Sequence, residues 1–387
     1  MSAPRYSPRE MIAKLVSFDT TSRNSNLPLI EFVSDYLERH GVSIAHVPNA
    51  EGTKANLYAT LGPNEPGGIV LSGHTDVVPV DGQDWRTDPW IVNEKDGKLY
   101  GRGTTDMKSF SAVALALAPE FLARGLRIPL HFALSYDEEV GCLGVRPLIA
   151  RLAEAFPRPR LVIVGEPTNM TVVTAHKGIR AFRTTVLGHE VHSSQTHRGV
   201  NAIAVAAELI QFLGALGQEQ AAQGDPSGRF EPPFTSVHVG LIEGGTALNI
   251  VPRSCRFVWE FRPLPGVDEA EILARFESKT EEVRARIRKV AGEADIVTEA
   301  RERVPPFRAD EDGPAVALAR KVSGQNATHA VSYGTEAGLF EEAGLSTVIC
   351  GPGDIAQAHQ PNEFVSLEQI ALCEKFFRRL MDEICLR

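Results

Sequence analysis

The sequence predicts an α/β protein in which a mixed, mostly parallel sheet flanked by helices is interrupted by an inserted, ferredoxin-like α+β domain. Three observations carry this. Short apolar runs alternate with helical segments up to about Lys177. From Gly178 the order becomes strand, helix, two strands, helix, strand, the split βαβ arrangement. After about Arg303 the first pattern returns, so the first domain reads as discontinuous, 1–178 with 301–387, around an insertion at 179–300.

Taken in order, helices are expected over 8–18 and 29–40, then strands near 56–61 and 68–72. A helix over 107–124, a strand over 130–135, a helix over 144–155 and a strand over 161–164 complete the first α/β run. The insertion reads as strand 179–187, helix 201–216, a polar loop 217–233, strands 235–242 and 254–262, helix 268–290 and strand 295–300. Helix 314–323, strand 347–350 and helix 366–386 close the chain.

Bulk composition narrows the function. A net charge of −9 leaves no basic footprint for nucleic acid. The start "MSAPRYSPREM" has no apolar run after its charges, so no secretory signal is expected. The longest greasy stretch, "SAVALALAPEFL", is broken by a proline and is far short of a membrane span. The 5 cysteines are scattered without a CxxC pair, as expected of reduced thiols in a cytoplasmic protein.

Strand 130–135 stops at three consecutive acids, Asp137, Glu138 and Glu139, and other predicted strands end similarly. Strand 68–72 runs into "GHTDVVP", with His74 and Asp76. Strand 161–164 runs into "GEPT", with Glu166, and strand 347–350 leads through "GPGDIAQAH" to His359. In a parallel sheet these ends share one edge, where open α/β folds bind ligands. Asp106, after a glycine-rich loop, can reach the same edge. Singly, Asp106 reads as a helix cap, His74 as a core histidine, Glu166 as part of a turn and His359 as a surface residue. Jointly they would leave an acid cluster unneutralised, at a cost on the order of several kcal/mol, unless cations bind. Histidines and carboxylates converging on a crevice suit borderline divalent ions such as zinc. Asp76 fits the carboxylate that orients a metal-bound histidine.

The collinear stretches "GHTDVVP", "LYGRGTTDMK", "DEEVGCLG", "GEPT", "HKG", "HSS", "LNIVP" and "AHQPNE" resemble the zinc aminoacylase/carboxypeptidase (M20-type) metallohydrolase superfamily, across essentially the whole chain. The resemblance implies a zinc-peptidase-like catalytic domain and two divalent ions, zinc with cobalt as an alternative. It implies that His74 and Glu166 bind one ion, Glu139 and His359 the other, that Asp106 bridges the two, and that the Asp106–Met107 peptide is cis. Glu138 then takes the role of general base, and Asp137 that of a solvated or structural neighbour. His192 resembles the family's oxyanion donor, commonly lent by the partner subunit of a homodimer joined through the inserted domain. Asn249 and Arg262 resemble the pair that grips the substrate's carbonyl or carboxylate, with Lys177 a further candidate. The family often has aspartate where Glu260 stands, which leaves open how that strand end is braced.

Within the family, "SYGTEAGLF" resembles the "GTEA" loop of acetylornithine deacetylases more than the corresponding desuccinylase loop. Thr335 and Glu336 therefore become candidate substrate contacts, Glu336 as partner for an ornithine ammonium or alternatively as a brace of its own loop. The implied reaction is hydrolysis of N2-acetyl-L-ornithine in arginine biosynthesis. Succinyl-diaminopimelate, another N-acyl amino acid or a dipeptide stays open as substrate, as does a non-catalytic protein that binds amino-acid derivatives.

Overall fold

The computed structural model describes residues 3–386. Its contacts divide the chain into two units. One comprises the residues up to Ala175, Phe307–His329 and the chain from Thr335; the other comprises His176–Pro306 with Ala330–Gly334.

In the first unit the main path of the sheet runs Ser43–Pro48, Ala55–Leu61, Leu130–Ser135, Ile69–His74, Leu161–Pro167, Ser346–Gly351, Val172–His176 and Phe307–Arg308. Its four central strands, Leu130–Ser135, Ile69–His74, Leu161–Pro167 and Ser346–Gly351, are mutually parallel. Every residue of the first three is buried, as continuous apolar strands covered by helices on both faces must be. Ile69 pairs with both Leu130 and Leu161, and His74 pairs with Ser135, so the carboxyl ends of these strands come out together.

Ser43–Pro48 was not expected as a strand. It is an outer strand with half its residues exposed, and it lacks the apolar run that marks the interior ones. The first helix, Pro8–Val16, begins where its sequence says it should, with Ser7 and Glu10 forming a reciprocal capping box and proline in its first turn. Helix Lys108–Arg124 runs through Pro119, as the expected helix over 107–124 does. Proline cannot donate to the carbonyl four residues back, but the Tyr36 hydroxyl donates to that Leu115 carbonyl at 3.2 Å and satisfies it.

The second unit holds a four-stranded antiparallel sheet ordered Ser236–Gly244, Ser254–Arg262, Ile179–Leu187, Asp295–Val304, with helices Ala202–Gln223 and Glu269–Ile287. This is the ferredoxin-like order. Burial alternates along Ser254–Arg262, and its inward residues Phe257, Trp259 and Phe261 centre the core. Trp259 pairs with Phe182 across the sheet and their rings stack at 4.6 Å.

Helix Ala202–Gln223 runs seven residues into the expected polar loop, because its buried stripe Val205, Leu209, Leu213, Leu216 is carried on by Gln220. By length and composition alone this helix could cross a membrane, but the stripe packs into the unit's core as one face of a core helix.

Candidate metal centre

Where the parallel strands end, the chain turns abruptly, and those turns present the acids. After Ser135, the amides of Gly141 and Cys142 donate to the Glu138 carbonyl, and Leu143 donates to the Asp137 carbonyl. A Cβ at Gly144 would lie 1.8 Å from the Tyr136 carbonyl, so only glycine lets the chain close this turn. Asp137, in the left-handed region at φ 54°, turns aside and pairs with Lys54, which separates it from its acidic neighbours.

Asp106 stands before helix Lys108–Arg124 but makes no cap hydrogen bond to it. Its two oxygens face two histidines instead, Oδ1 at 3.0 Å from His74 Nε2 and Oδ2 at 3.2 Å from His359 Nε2. Glu166 Oε1 lies 3.7 Å from the same His74 nitrogen, and Glu139 Oε2 lies 3.1 Å from His359 Nε2. The ligand atoms of His74, Asp106 and Glu139 fall within 4.8 Å of one another, as do those of His74, Glu138 and Glu166. The Asp106–Met107 peptide is cis. The structure thus brings together His74, Asp106, Glu138, Glu139, Glu166 and His359.

The electrostatics call for positive charge. Burial, reinforced by the neighbouring acids, pushes the carboxyls of Glu138, Glu139 and Glu166 upward, Glu139 to about 7. Hydrogen bonds to Asp106 and Glu139 raise His359 to about 10. Burial opposes a charge on His74, yet Asp106, Glu166 and Glu138 lift its pKa well above the ordinary value. Asp106 moves the other way: burial opposes its ionisation, but both histidines hold its carboxyl below the usual range. Glu139 Oε1 is buried with no hydrogen-bond partner, a carboxylate oxygen that a cation would satisfy. Imidazole nitrogens and carboxylates are the donor set of zinc-like divalent ions, so the residues present fit them.

Asp76 differs from its expected geometry. His74 Nδ1 meets the Asp76 backbone carbonyl at 2.9 Å, while the nearer carboxylate oxygen is 3.7 Å away. That carboxylate accepts instead from the Glu138 and Glu139 amides, at 3.1 and 3.3 Å, and from Ser22 Oγ at 2.8 Å. It holds the loop of the acids rather than the histidine ring.

Three expected substrate contacts are corrected. Glu336 is 1% exposed, and its two oxygens accept from Ser72 Oγ at 3.0 Å and from Ser135 Oγ. Those bonds occupy both oxygens behind the strand ends, so the side chain is a brace and not an open partner for an ammonium. Thr335 is fully buried and its hydroxyl accepts from the Ala337 amide at 3.0 Å, holding the start of the next helix. Lys177 is buried, its ammonium donating to the Pro232 and Phe234 carbonyls at 2.6 and 2.8 Å.

His192, Asn249 and Arg262 belong to the second unit. There the Ser193 amide donates to the Asn249 carbonyl at 3.0 Å, which ties the His192 loop to the Asn249 loop. The Ser194 amide donates to His192 Nδ1, so in the neutral ring the proton sits on Nε2, which is left as a donor. Glu260 accepts from Arg262 Nε at 2.9 Å, so the glutamate does brace this strand end.

Sequence reasoning missed Arg102, Glu363, Gln83 and Cys142. The first two lie inside the quoted stretches "LYGRGTTDMK" and "AHQPNE", where an arginine and a glutamate of opposite charge beside metal-ligand candidates were the available signal. The Cys142 thiol donates to Glu138 Oε1 at 3.3 Å.

Comparison with known proteins agrees with this centre. The sequence model of the peptidase family M20/M25/M40 matches residues 70–383. An acetylornithine deacetylase of Myxococcus xanthus is 37% identical, the alignment covering 97% of each chain. Another from Proteus mirabilis (strain HI4320) is 35% identical, over 98% of this chain and 96% of the relative. An M20 family metallo-carboxypeptidase of Sulfolobus solfataricus has the same fold, with a TM-score of 0.76 and 18% identity over 97% of this chain and 98% of that one. The family match spans the strand ends, the acid turn and the His359 loop from which the centre is built, and the chain is a metal-dependent amide hydrolase belonging to the M20/M25/M40 peptidase family.

Proposed function

We propose that the protein removes the acetyl group from N2-acetyl-L-ornithine, releasing ornithine and acetate in arginine biosynthesis. The observation that carries the hydrolytic reading is Asp106, which offers one oxygen to the His74 side and the other to the His359 side. Two divalent ions, zinc or cobalt, would be held by His74 with Glu166 and by Glu139 with His359, sharing Asp106. Such ions supply Lewis acidity to the scissile carbonyl and make a water easier to deprotonate.

Glu138 takes the proton of that water and delivers it to the departing amine as the C–N bond breaks. Burial keeps its carboxyl well above the usual range, which suits a group that must both accept and return a proton. His192 donates a hydrogen bond from Nε2 to the developing oxyanion, and Arg262 with Asn249 holds the carboxylate of the substrate. The choice of acetylornithine rests on the full-length likeness to the deacetylases of Myxococcus xanthus and Proteus mirabilis.

A homodimer through the second unit is part of the same proposal. The outer strand Ser236–Gly244 exposes Leu241 and Ile242, and Leu248 beyond it is fully exposed, an apolar edge of the kind that proteins cover by pairing. A cytoplasmic location agrees with 5 cysteines that are all buried and free.

The test is a substrate panel on metal-reconstituted protein. Acetylornithine should exceed succinyl-diaminopimelate and simple dipeptides in kcat/KM by about tenfold or more. Preference for either of the others would overturn the substrate, and no turnover of any would overturn the enzyme.

A further inference from the structure

His74 and His359 are held very differently. His74 ends a buried strand and its ring is anchored through Nδ1. His359 sits in a loop at φ 62° with its side chain about half exposed, so no regular element sets where its ring stands.

Arg102 Nη1 reaches the Gln360 carbonyl at 3.4 Å, and Asn362 bonds the backbone of Arg86 and Asp84, but three residues link the loop to Asp106 itself. Glu363 Oε1 accepts from the amides of Thr105 and Asp106 at 2.8 and 3.1 Å. Its second oxygen accepts from Arg102 Nη1 at 2.7 Å, and this ion pair is almost fully buried. Arg102 Nη2 donates to Gln83 Oε1 at 2.6 Å, and Gln83 Nε2 donates to the His359 carbonyl at 2.9 Å. The Gln83 oxygen also accepts from Trp85 Nε1 at 3.0 Å. With two donors aimed at that oxygen, the amide has one satisfiable orientation, which aims its N–H at His359. The chain of bonds therefore starts on the backbone of Asp106 and ends on the backbone of His359, the two residues whose side chains meet at 3.2 Å.

We propose that Glu363, Arg102 and Gln83 are positioning residues that set the gap between Asp106 and His359 and so set the affinity of the ion position on the His359 side, leaving the His74 side largely alone. The inference rests on the two-ion reading above. Outer partners of metal ligands commonly control affinity by about 10–100-fold, because a ligand that must be reordered before it binds loses that much of its grip.

Gln83 is the residue to change. Glu363→Gln would strand a buried guanidinium and can unfold the chain, whereas Gln83 is only half-buried. Zinc content is measured by equilibrium dialysis across buffered free-zinc concentrations for wild type, Gln83→Leu and Gln83→Glu. Circular dichroism and thermal melts accompany each to confirm the fold.

Both variants should bind the first ion as wild type does and the second about 10–100-fold more weakly. Gln83→Glu keeps the acceptor for Arg102 and Trp85 but loses the N–H to His359, so a defect there assigns the effect to the His359 tie. Excess zinc should return kcat toward wild type, a rescue that a misfolded chain would not show. Wild type that holds fewer than two ions overturns the two-ion reading and this inference with it. Two ions in wild type, with unchanged second-ion affinity in Gln83→Leu, overturns the inference alone.

Discussion

Asp76 meets His74 through its backbone carbonyl, 2.9 Å from Nδ1, while its carboxylate receives the amides of Glu138 and Glu139. One residue thus orients a histidine with its main chain and the acid turn with its side chain. Replacing it with alanine keeps the first contact and removes the second. Asp76→Ala should retain the His74-side ion, lose affinity for the ion shared by Glu139, and drop kcat by about 10–100-fold. Metal analysis of the dialysed variant checks this; equal loss of both ions would show that the carboxylate serves His74 after all.

Glu138 and Glu139 are adjacent in sequence and both partly buried in the cluster, yet their assigned work differs. Glu138→Gln should lower kcat by about 10²–10⁴-fold with metal content nearly unchanged, because a base is lost and not a ligand. Glu139→Gln should lose metal as well as activity. If both variants shed metal equally with similar residual activity, the division between base and ligand is wrong.

Glu336 gives a pH test. Burial raises its carboxyl in the folded state, opposed in part by its serine partners, so folding favours the protonated form. Ionisation then costs stability as pH rises from the unfolded value of about 4.3 through the raised folded value. Glu336→Gln removes that penalty and still pairs with Ser72 and Ser135. The stability of wild type minus that of Glu336→Gln should therefore fall as pH rises above about 4, read by urea denaturation. KM for acetylornithine should change less than about threefold, since a buried brace does not touch substrate. A larger rise in KM would restore Glu336 as a substrate contact.

The proposed dimer predicts complementation. If each subunit lends His192 to its partner, mixing His192→Ala with Glu138→Ala chains makes dimers with one site carrying both defects and one carrying neither. With free exchange about half the dimers are mixed, and activity should recover to about a quarter of wild type. No recovery despite proven subunit exchange would place His192 in its own chain's chemistry or in none.

The α/β class, the inserted ferredoxin-like unit and the metal-ligand candidates were legible in the sequence, because each leaves a local mark. Parallel interior strands such as Leu130–Ser135 are continuous apolar runs, and a run that stops at acids advertises a strand end at the sheet's binding edge. What was not legible depended on partners far away in the chain. The outer strand Ser43–Pro48 carries no apolar run, since only its neighbour makes it a strand. That the Tyr36 hydroxyl would supply the Leu115 carbonyl with the bond that Pro119 cannot is likewise unmarked in the sequence. Glu336 and Lys177 look like charges free for a ligand until Ser72 and Ser135, or the Pro232 and Phe234 carbonyls, are seen to occupy them. Residue types and order determined which chemistry the chain carries. Tertiary structure alone decided which polar groups remained free to perform it, because hydrogen bonds between residues remote in sequence leave no periodic trace along the chain.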